Sequence, residues 1–381
     1  MKWPRAAGNS RRSIADALAT VTPALLKEGT APPDRKLLRR ALYQWSFNTA
    51  ARRRGGPPQD CERVVRWLEG YTLSLSELDD PSVVRRALDM LATKQDGTPT
   101  AATTLMRKRA MFYNSMEYAV ELGHLTGNPL QRVKWTAPKV AEAIDPRVLI
   151  DRRRVEDILT AMTKLDGIGP RLVAFFGCMY YAAMRPAEVA DLRASDITLP
   201  PLVWSDEEQR HVEPGTWGDL HLSHSSPALS PAWNESGKRR ESRQLKHRAK
   251  GDVRVVPCHP RLVELLRRHI AEFGTASDGR LFRSMYFNRP LSEGTYPQVW
   301  RRARAAALSE AEAASTLALR PYDLRHACVT TWLNAGVDPA QVAEWAGHSV
   351  AVLLRVYVRC ITGRDEIAKK RIEEALRLDN A

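Results

Sequence analysis

The sequence predicts a mostly helical chain of two domains, the second an α+β domain with a small antiparallel sheet. Three observations lead there. Apolar residues recur near a period of about 3.6 over most of the chain. Only a few short segments, after residue 216, alternate as strands do. Between the two patterns lies "TAPKVAEAIDPRV" (136–148), with two prolines and little periodicity, which reads as a linker.

The elements follow in order. Residues 1–35 are rich in Ala, Pro and Arg and weakly patterned, and read as a flexible or partly helical arm. Residues 36–135 read as an all-helical domain, with "LLRRALYQWSFNTA", "CERVVRWLEGYTL", "DDPSVVRRALDMLATK" and "TLMRKRAMFYNSMEYAVELGHL" as amphipathic stretches. Asp80 before Pro81 is a helix start, and Gly123 with the following "TGNP" is a stop. Residues 149–381 form the second domain. "DRRRVEDILTAM" opens it as a helix, and "LVAFFGCMYYAAM" (Leu172 to Met184), too short to span a bilayer, is its expected buried helix. "WGDLHL" (217–222) alternates like a strand. After the polar insert "SHSSPALSPAWNESGKRRES" comes an expected hairpin, with arms "RQLKHR" and "VRVVPC" around "AKGD". Helices return at "PRLVELLRRHIAEF" and continue to an amphipathic tail, "DEIAKKRIEEALRL" (365–378).

Charge narrows the partner. The net charge of +14 predicts a polyanion, nucleic acid first and an acidic membrane surface second. Arg outnumbers Lys by 45 to 13, and Arg makes forked contacts to phosphate. Residues 1–134 hold 22 Lys and Arg against 13 Asp and Glu, a balance that suits a DNA clamp. The basic N-terminus is followed by no apolar segment of the signal-peptide kind. The five cysteines (61, 178, 258, 328 and 360) are scattered, with no CxxC pair, which predicts reduced thiols in a cytosolic setting. No ligand set has metal spacing, so no metal or other cofactor is expected.

Four features of the second domain suggest chemistry. Arg185 follows the buried helix in "MRPAEVADLRASDI", with Glu188 as a candidate ion-pair partner. Lys246 and Lys250 lie in the expected hairpin. Tyr322, Arg325 and His326 lie in "RPYDLRHACVTTWL", where a turn becomes a helix. In "WAGHSVAVLLRVY" (345–357), Gly347 ends a helix begun by Asp338 and Pro339, His348 follows, and Tyr357 comes nine residues later. Singly, each has an ordinary reading: a corner salt bridge, solvated lysines, a core histidine, a core tyrosine. Together, in this order, they resemble the boxes of the tyrosine recombinase (phage integrase) family. "MRPAEVADLRASDI" resembles its Arg box, "YDLRH" its HxLRH box and "AGHS" its LGHS box. Tyr357 stands where that family has its tyrosine. The likeness covers about residues 150–375, and the helical region before it resembles the family's core-binding domain, giving a two-domain DNA clamp.

The resemblance implies site-specific cutting and rejoining of DNA without metal or ATP. Arg185 and Arg325 would grip one phosphate and stabilise the charge that builds in the transition state. Tyr357 would attack phosphorus, leaving a 3′-phosphotyrosyl bond and a free 5′-hydroxyl. His348 would hydrogen-bond the phosphate. A hairpin lysine, Lys250 or Lys246, would protonate the leaving oxygen. It also implies double-stranded attachment sites, a homotetramer joined through the tail, accessory bending or directionality proteins, and a cytoplasmic, nucleoid-associated place of action. One position departs from the pattern. Tyr322 stands where the family usually has His, and a phenol is a poor base near neutral pH. His326 reads as facing another side of the helix and is not given that role. Other readings are a DNA-binding protein without catalysis on the same fold, a type IB topoisomerase-like activity, and a helix-turn-helix factor.

Overall fold

The computed structural model describes residues 6–246, 249, 251–286, 289–361 and 364–376. The chain divides into two compact units. The first runs to Val140 and includes Leu229–Glu241; the second comprises Ala141–Ala228 and resumes at Ser242.

The first unit is helical: α1 (Gly8–Val21), α2 (Arg35–Arg40), α3 (Thr49–Arg54), α4 (Gln59–Tyr71), α5 (Pro81–Ala92) and α6 (Ala102–Glu121). Asp80 caps α5 by accepting from the Ser82 amide, with Pro81 at the first helical position, as the sequence predicts. Gly123 takes φ +74 just beyond α6, the left-handed turn that ends a helix. Val84, Leu88, Leu91, Phe112 and Met116 form the main core. Of the flexible or partly helical arm, residues 8–21 are helical: α1 packs on α5 and α6 and buries Ala15, Ala17, Ala19 and Val21. Its small residues let it approach closely, which weak hydropathy concealed. Two expectations change. The stretch after α2 is not one α-helix, because Ala41–Ser46 is wound as a π-helix. The insert after "WGDLHL" is not wholly polar either. Its Leu229 and Trp233 are buried against Ala15, and the Asn48 amide donates to the Ala232 carbonyl at 3.0 Å.

The second unit holds helices α7 (Arg152–Thr163), α8 (Val173–Tyr181), α9 (Pro186–Val189), α10 (Pro260–Phe273), α11 (Thr295–Ala307), α12 (Glu310–Ala314), α13 (Tyr322–Asn334), α14 (Pro339–Ala346), α15 (Val350–Tyr357) and α16 (Arg364–Leu376). Its strands are β1 (Ile197–Thr198), β2 (Val203–Ser205), β3 (Arg210–Val212), β4 (Gly218–Leu222), β5 (His224–Ser225), β6 (Arg243–Gln244) and β7 (Arg254–Cys258). Every residue of α8 is buried, so this helix is the centre of the core. Phe175 and Phe176 meet Phe282 and Trp300 there at ring distances of 5.4 and 5.0 Å. Each such side chain contributes about 1.5–3 kcal/mol by leaving water. Among the described residues no helix is long and apolar enough to cross a membrane. All five cysteines are buried free thiols.

The main sheet is antiparallel in the order β1-β4-β7. The expected hairpin between "RQLKHR" and "VRVVPC" does not form. β7 pairs with β4 over five residues, from Gly218↔Cys258 to Leu222↔Arg254, while β6 pairs with β5. The reason is burial. β4 and β7 each turn alternate residues inward, so their pairing covers Leu220, Leu222 and Val256 together. The polar "RQLKHR" arm has only Leu245 to bury in its described part. This register puts Arg254 on the core face of the sheet.

The last helices form a smaller core of Val329, Leu333, Val342, Ala346, Leu353 and Tyr357. Asp338 caps α14, accepting from the Ala340 amide at 2.7 Å. Gly347, at φ +64, closes α14, and Ser349 caps α15 through the Val352 amide. The "AGHS" corner is therefore a glycine stop followed directly by a serine start.

Candidate active site

Three segments far apart in sequence converge. The turn after α8 brings Arg185, α13 brings Arg325 and His326, and the α14–α15 corner with α15 brings Gly347, His348 and Tyr357. Each is fixed by local chemistry. The Glu188 carboxylate turns back on the start of its own short helix and accepts from the Arg185 amide at 2.9 Å and from Arg185 Nη1 at 2.8 Å. Arg185 Nη2 donates to the Gly347 carbonyl at 2.6 Å, tying the first segment to the third. Arg325, fully buried, donates to the carbonyls of Ala183 and Ala346. Ala183 sits at φ +47, a left-handed conformation costly for a residue with a Cβ. It lies where the chain leaves α8, and its carbonyl is the one that Arg325 takes.

Arg254 was not foreseen as a site residue. It is 1% exposed, and its guanidinium forks onto Glu188, with Nη2 to Oε2 at 2.7 Å and Nη1 to Oε1 at 3.1 Å. The strand alternation of "VRVVPC" held the signal, because it puts Arg254 on the same face as Val256 and Cys258. A buried Arg needs an acid. Gly347 marks how tight the packing is: a Cβ there would overlap Arg254 Nη1 and come within 3.1 Å of Arg185 Nη1.

The electrostatics follow from this crowding. Burial alone would raise the Glu188 carboxyl, but the Arg254 and Arg185 guanidiniums hold it down at about 2. Burial, then Arg325 and Arg185, pushes the His348 imidazole down to about 3. Burial, then Arg325 and Arg320, pushes His326 down to about 4. Both rings are therefore neutral at neutral pH. Burial raises the Tyr357 phenol above its ordinary value, against the pull of Arg325. Arg325 Nη2 lies 2.9 Å from His348 Nε2. A guanidinium can only donate, so Nε2 accepts and the ring proton sits on Nδ1. That Nδ1, like Arg325 Nε, is buried without a protein partner. Three guanidiniums against one carboxylate leave a surplus of positive charge with unused donors, an arrangement suited to an anion.

Five of the seven residues expected from the sequence share this cluster: Arg185, Tyr322, Arg325, His348 and Tyr357. Tyr322, half-buried, lies near enough to the Arg185 guanidinium to interact with its charge. Lys246 is an exposed side chain just beyond β6, and Lys250 lies outside the described residues. The reading of His326 was wrong. Four residues after Tyr322, it shares that residue's helix face. The two rings are 5.1 Å apart, and His326 Nδ1 is 2.9 Å from Tyr357 Oη. Among the described residues no group of His, Cys, Asp and Glu could hold a metal ion.

Comparisons with known proteins bear on the family and the fold. Residues 216–362 match the sequence model of the phage integrase family. No curated protein matches the chain in sequence. The fold is similar to that of the Tn1549 transposon integrase, solved with a circular intermediate DNA, with a TM-score of 0.56 and 14% identity over 95% of this chain and 99% of that one. The same integrase solved with transposon right end DNA gives 0.54 and 16% over 86% and 98%. The XerH site-specific recombinase bound to its difH substrate gives 0.50 and 13% over 97% and 96%. The segment that brings Arg254, Arg325, His348 and Tyr357 together thus matches the phage integrase family model, within a chain whose fold is similar to that of the Tn1549 integrase.

Proposed function

We propose that the protein is a site-specific DNA recombinase that cuts and rejoins strands through Tyr357. The observation behind this is the convergence of Arg185, Arg325, His348 and Tyr357 in a cluster with surplus positive charge. A scissile phosphate takes the place now held by internal contacts. Arg185 and Arg325 donate to its non-bridging oxygens, and the charge developing in the transition state strengthens both contacts. The free Nδ1–H of His348 supplies a further donor. Tyr357 Oη attacks phosphorus and the 5′-oxygen leaves. Lys246 or Lys250, the two lysines that precede Arg254 closely in sequence, protonates it. Rejoining is the reverse attack by a 5′-hydroxyl, which conserves bond energy and needs no nucleotide.

The partner in this reading is a double-stranded attachment site, and the helical first unit with its basic balance supplies further phosphate contacts. Recombination joins two duplexes, so the working assembly is a homotetramer. Ile372 and Leu376 on α16 are exposed, which supports docking of this tail on a neighbouring copy. Accessory bending or directionality proteins, and action at the nucleoid, belong to the same reading. The test is a covalent adduct. Nicked duplexes with random cores are incubated with the protein in EDTA without ATP, and SDS-resistant complexes are selected and sequenced. The expected adduct is lost in Tyr357→Phe while DNA binding remains. An adduct that survives Tyr357→Phe, or a tight-binding site that never yields one, would overturn the proposal in favour of a DNA-binding protein without catalysis.

A further inference from the structure

The recombinase reading leaves one step without an agent. A phenol must lose its proton to attack, and Tyr322, at the position where the family usually has a histidine, is a poor base. We propose that His326 is the catalytic base of strand cleavage: its Nδ1 takes the phenolic proton as Tyr357 Oη attacks phosphorus. This inference rests on the recombinase reading and adds a residue to it.

Geometry comes first. Nδ1 lies 2.9 Å from Tyr357 Oη, already at the distance a base needs. With the ring proton on Nε2, Nδ1 is an acceptor and the phenol is its donor. His348, the other imidazole of the cluster, is not available. Its Nε2 already accepts from Arg325, and its ring centroid is 6.2 Å from that of Tyr357. The His326 ring is also held in place. Tyr322 packs edge-on against it from one turn earlier, and the Tyr357 ring lies with its centroid 5.7 Å away.

Charge then explains how a base in a cationic cluster can work. The groups facing His326 are Tyr322, Arg325 and Arg320 from its own segment, Tyr357 from α15 and His348 from the corner before it. Burial and the two arginines keep the ring unprotonated, so it stands ready as a free base. A phosphate bound to Arg185 and Arg325 cancels part of that positive field. The ring therefore becomes more basic only when the substrate is in place. The same guanidiniums stabilise the phenolate oxygen as it forms.

The step balances. The Oη–H bond breaks and its proton goes to Nδ1, giving an imidazolium. The Oη–P bond forms as the P–O5′ bond breaks, and the 5′-oxygen takes a proton from Lys246 or Lys250. Rejoining runs the same transfers backwards: the imidazolium returns its proton to the departing tyrosyl oxygen.

The experiment is single-turnover adduct formation, at saturating DNA, on a nicked duplex selected with the unaltered protein. His326→Ala and His326→Asn are compared with wild type. Asn keeps an acceptor near the Nδ1 position but cannot hold the proton, so it covers the case in which Ala perturbs folding. Both variants should lose about 10²–10⁴-fold in adduct rate, with DNA affinity little changed. The decisive arm replaces Tyr357 by fluorinated tyrosines of increasing acidity. A phenol that loses its proton more readily needs its base less, so the deficit of His326→Asn should shrink as acidity rises. A merely structural histidine would give a deficit that fluorination does not move, and that result overturns the proposal, as does a wild-type rate in His326→Asn. A wild-type rate there with Tyr357→Phe inactive refutes only the base. Absence of any Tyr357-dependent adduct refutes the recombinase reading itself.

Discussion

Replacing Glu188 by Gln removes one charge from the centre of the site and keeps the shape. Glu188 is 2% exposed and answers two guanidiniums, Arg185 and Arg254. Its carboxyl ordinarily titrates at 4.5 and is held at about 2 in the folded protein. That gap corresponds to about 3 kcal/mol of folding stability. Because the folded value is the lower one, the contribution is complete above about pH 5 and fades as pH falls toward 2. Gln stands for the protonated acid. The variant should therefore be about 3 kcal/mol less stable than wild type at pH 7, and by pH 3 the difference should close to roughly half of that. Urea unfolding followed by tryptophan fluorescence at pH 7, 5 and 3 measures it, with the other carboxylates cancelling between the two proteins. The same change should slow adduct formation, because Arg185 loses the partner that orients it. A stability difference equal at pH 7 and pH 3 would refute the charge argument and leave only packing. No difference at any pH would refute the role of the ion cluster in folding.

Other outcomes follow from the same geometry. Gly347→Ala meets two obstacles, a φ of +64 and an overlap with Arg254 Nη1, and should cost about 2–4 kcal/mol in urea unfolding and abolish adduct formation. Arg325→Ala should lower single-turnover cleavage by about 10²-fold or more while DNA affinity changes far less, read by gel shift beside the adduct assay. DNA affinity of the catalytically dead Tyr357→Phe should fall by on the order of 10³-fold or more between 50 and 200 mM salt, since phosphate contacts outside the site remain.

The sequence showed local features well and distant partners poorly. Asp80 with Pro81, the "WGDLHL" strand and the glycine-to-serine corner at 347–349 were legible because capping and alternation act within a few residues. Arg185, Arg325, His348 and Tyr357 were legible because separated boxes stood in a known order. Partners chosen across the fold were not. β7 took β4 rather than its neighbour in sequence, because that pairing buries two apolar rows. The packing of α1 was not legible because alanines pack closely without a strong hydrophobic signature. Arg254 could have been found from strand parity, which put a guanidinium among core residues and so required a buried acid. His326 was misread by a simple error of helical spacing, since residues four apart share a face.

The membership of Leu229–Glu241 in the first unit has a consequence for biogenesis. The helical unit cannot seal Ala15 when residue 140 has been made, since Leu229 and Trp233 arrive only after the first stretch of the other unit has been synthesised. At about 5–20 residues per second that leaves several seconds of waiting on the ribosome. The two units are therefore interleaved in time, and neither is a self-sufficient product of translation. A clone ending at residue 140 should expose an uncovered apolar seam and aggregate, whereas one that joins residues 229–241 to it through a flexible linker should stay in solution.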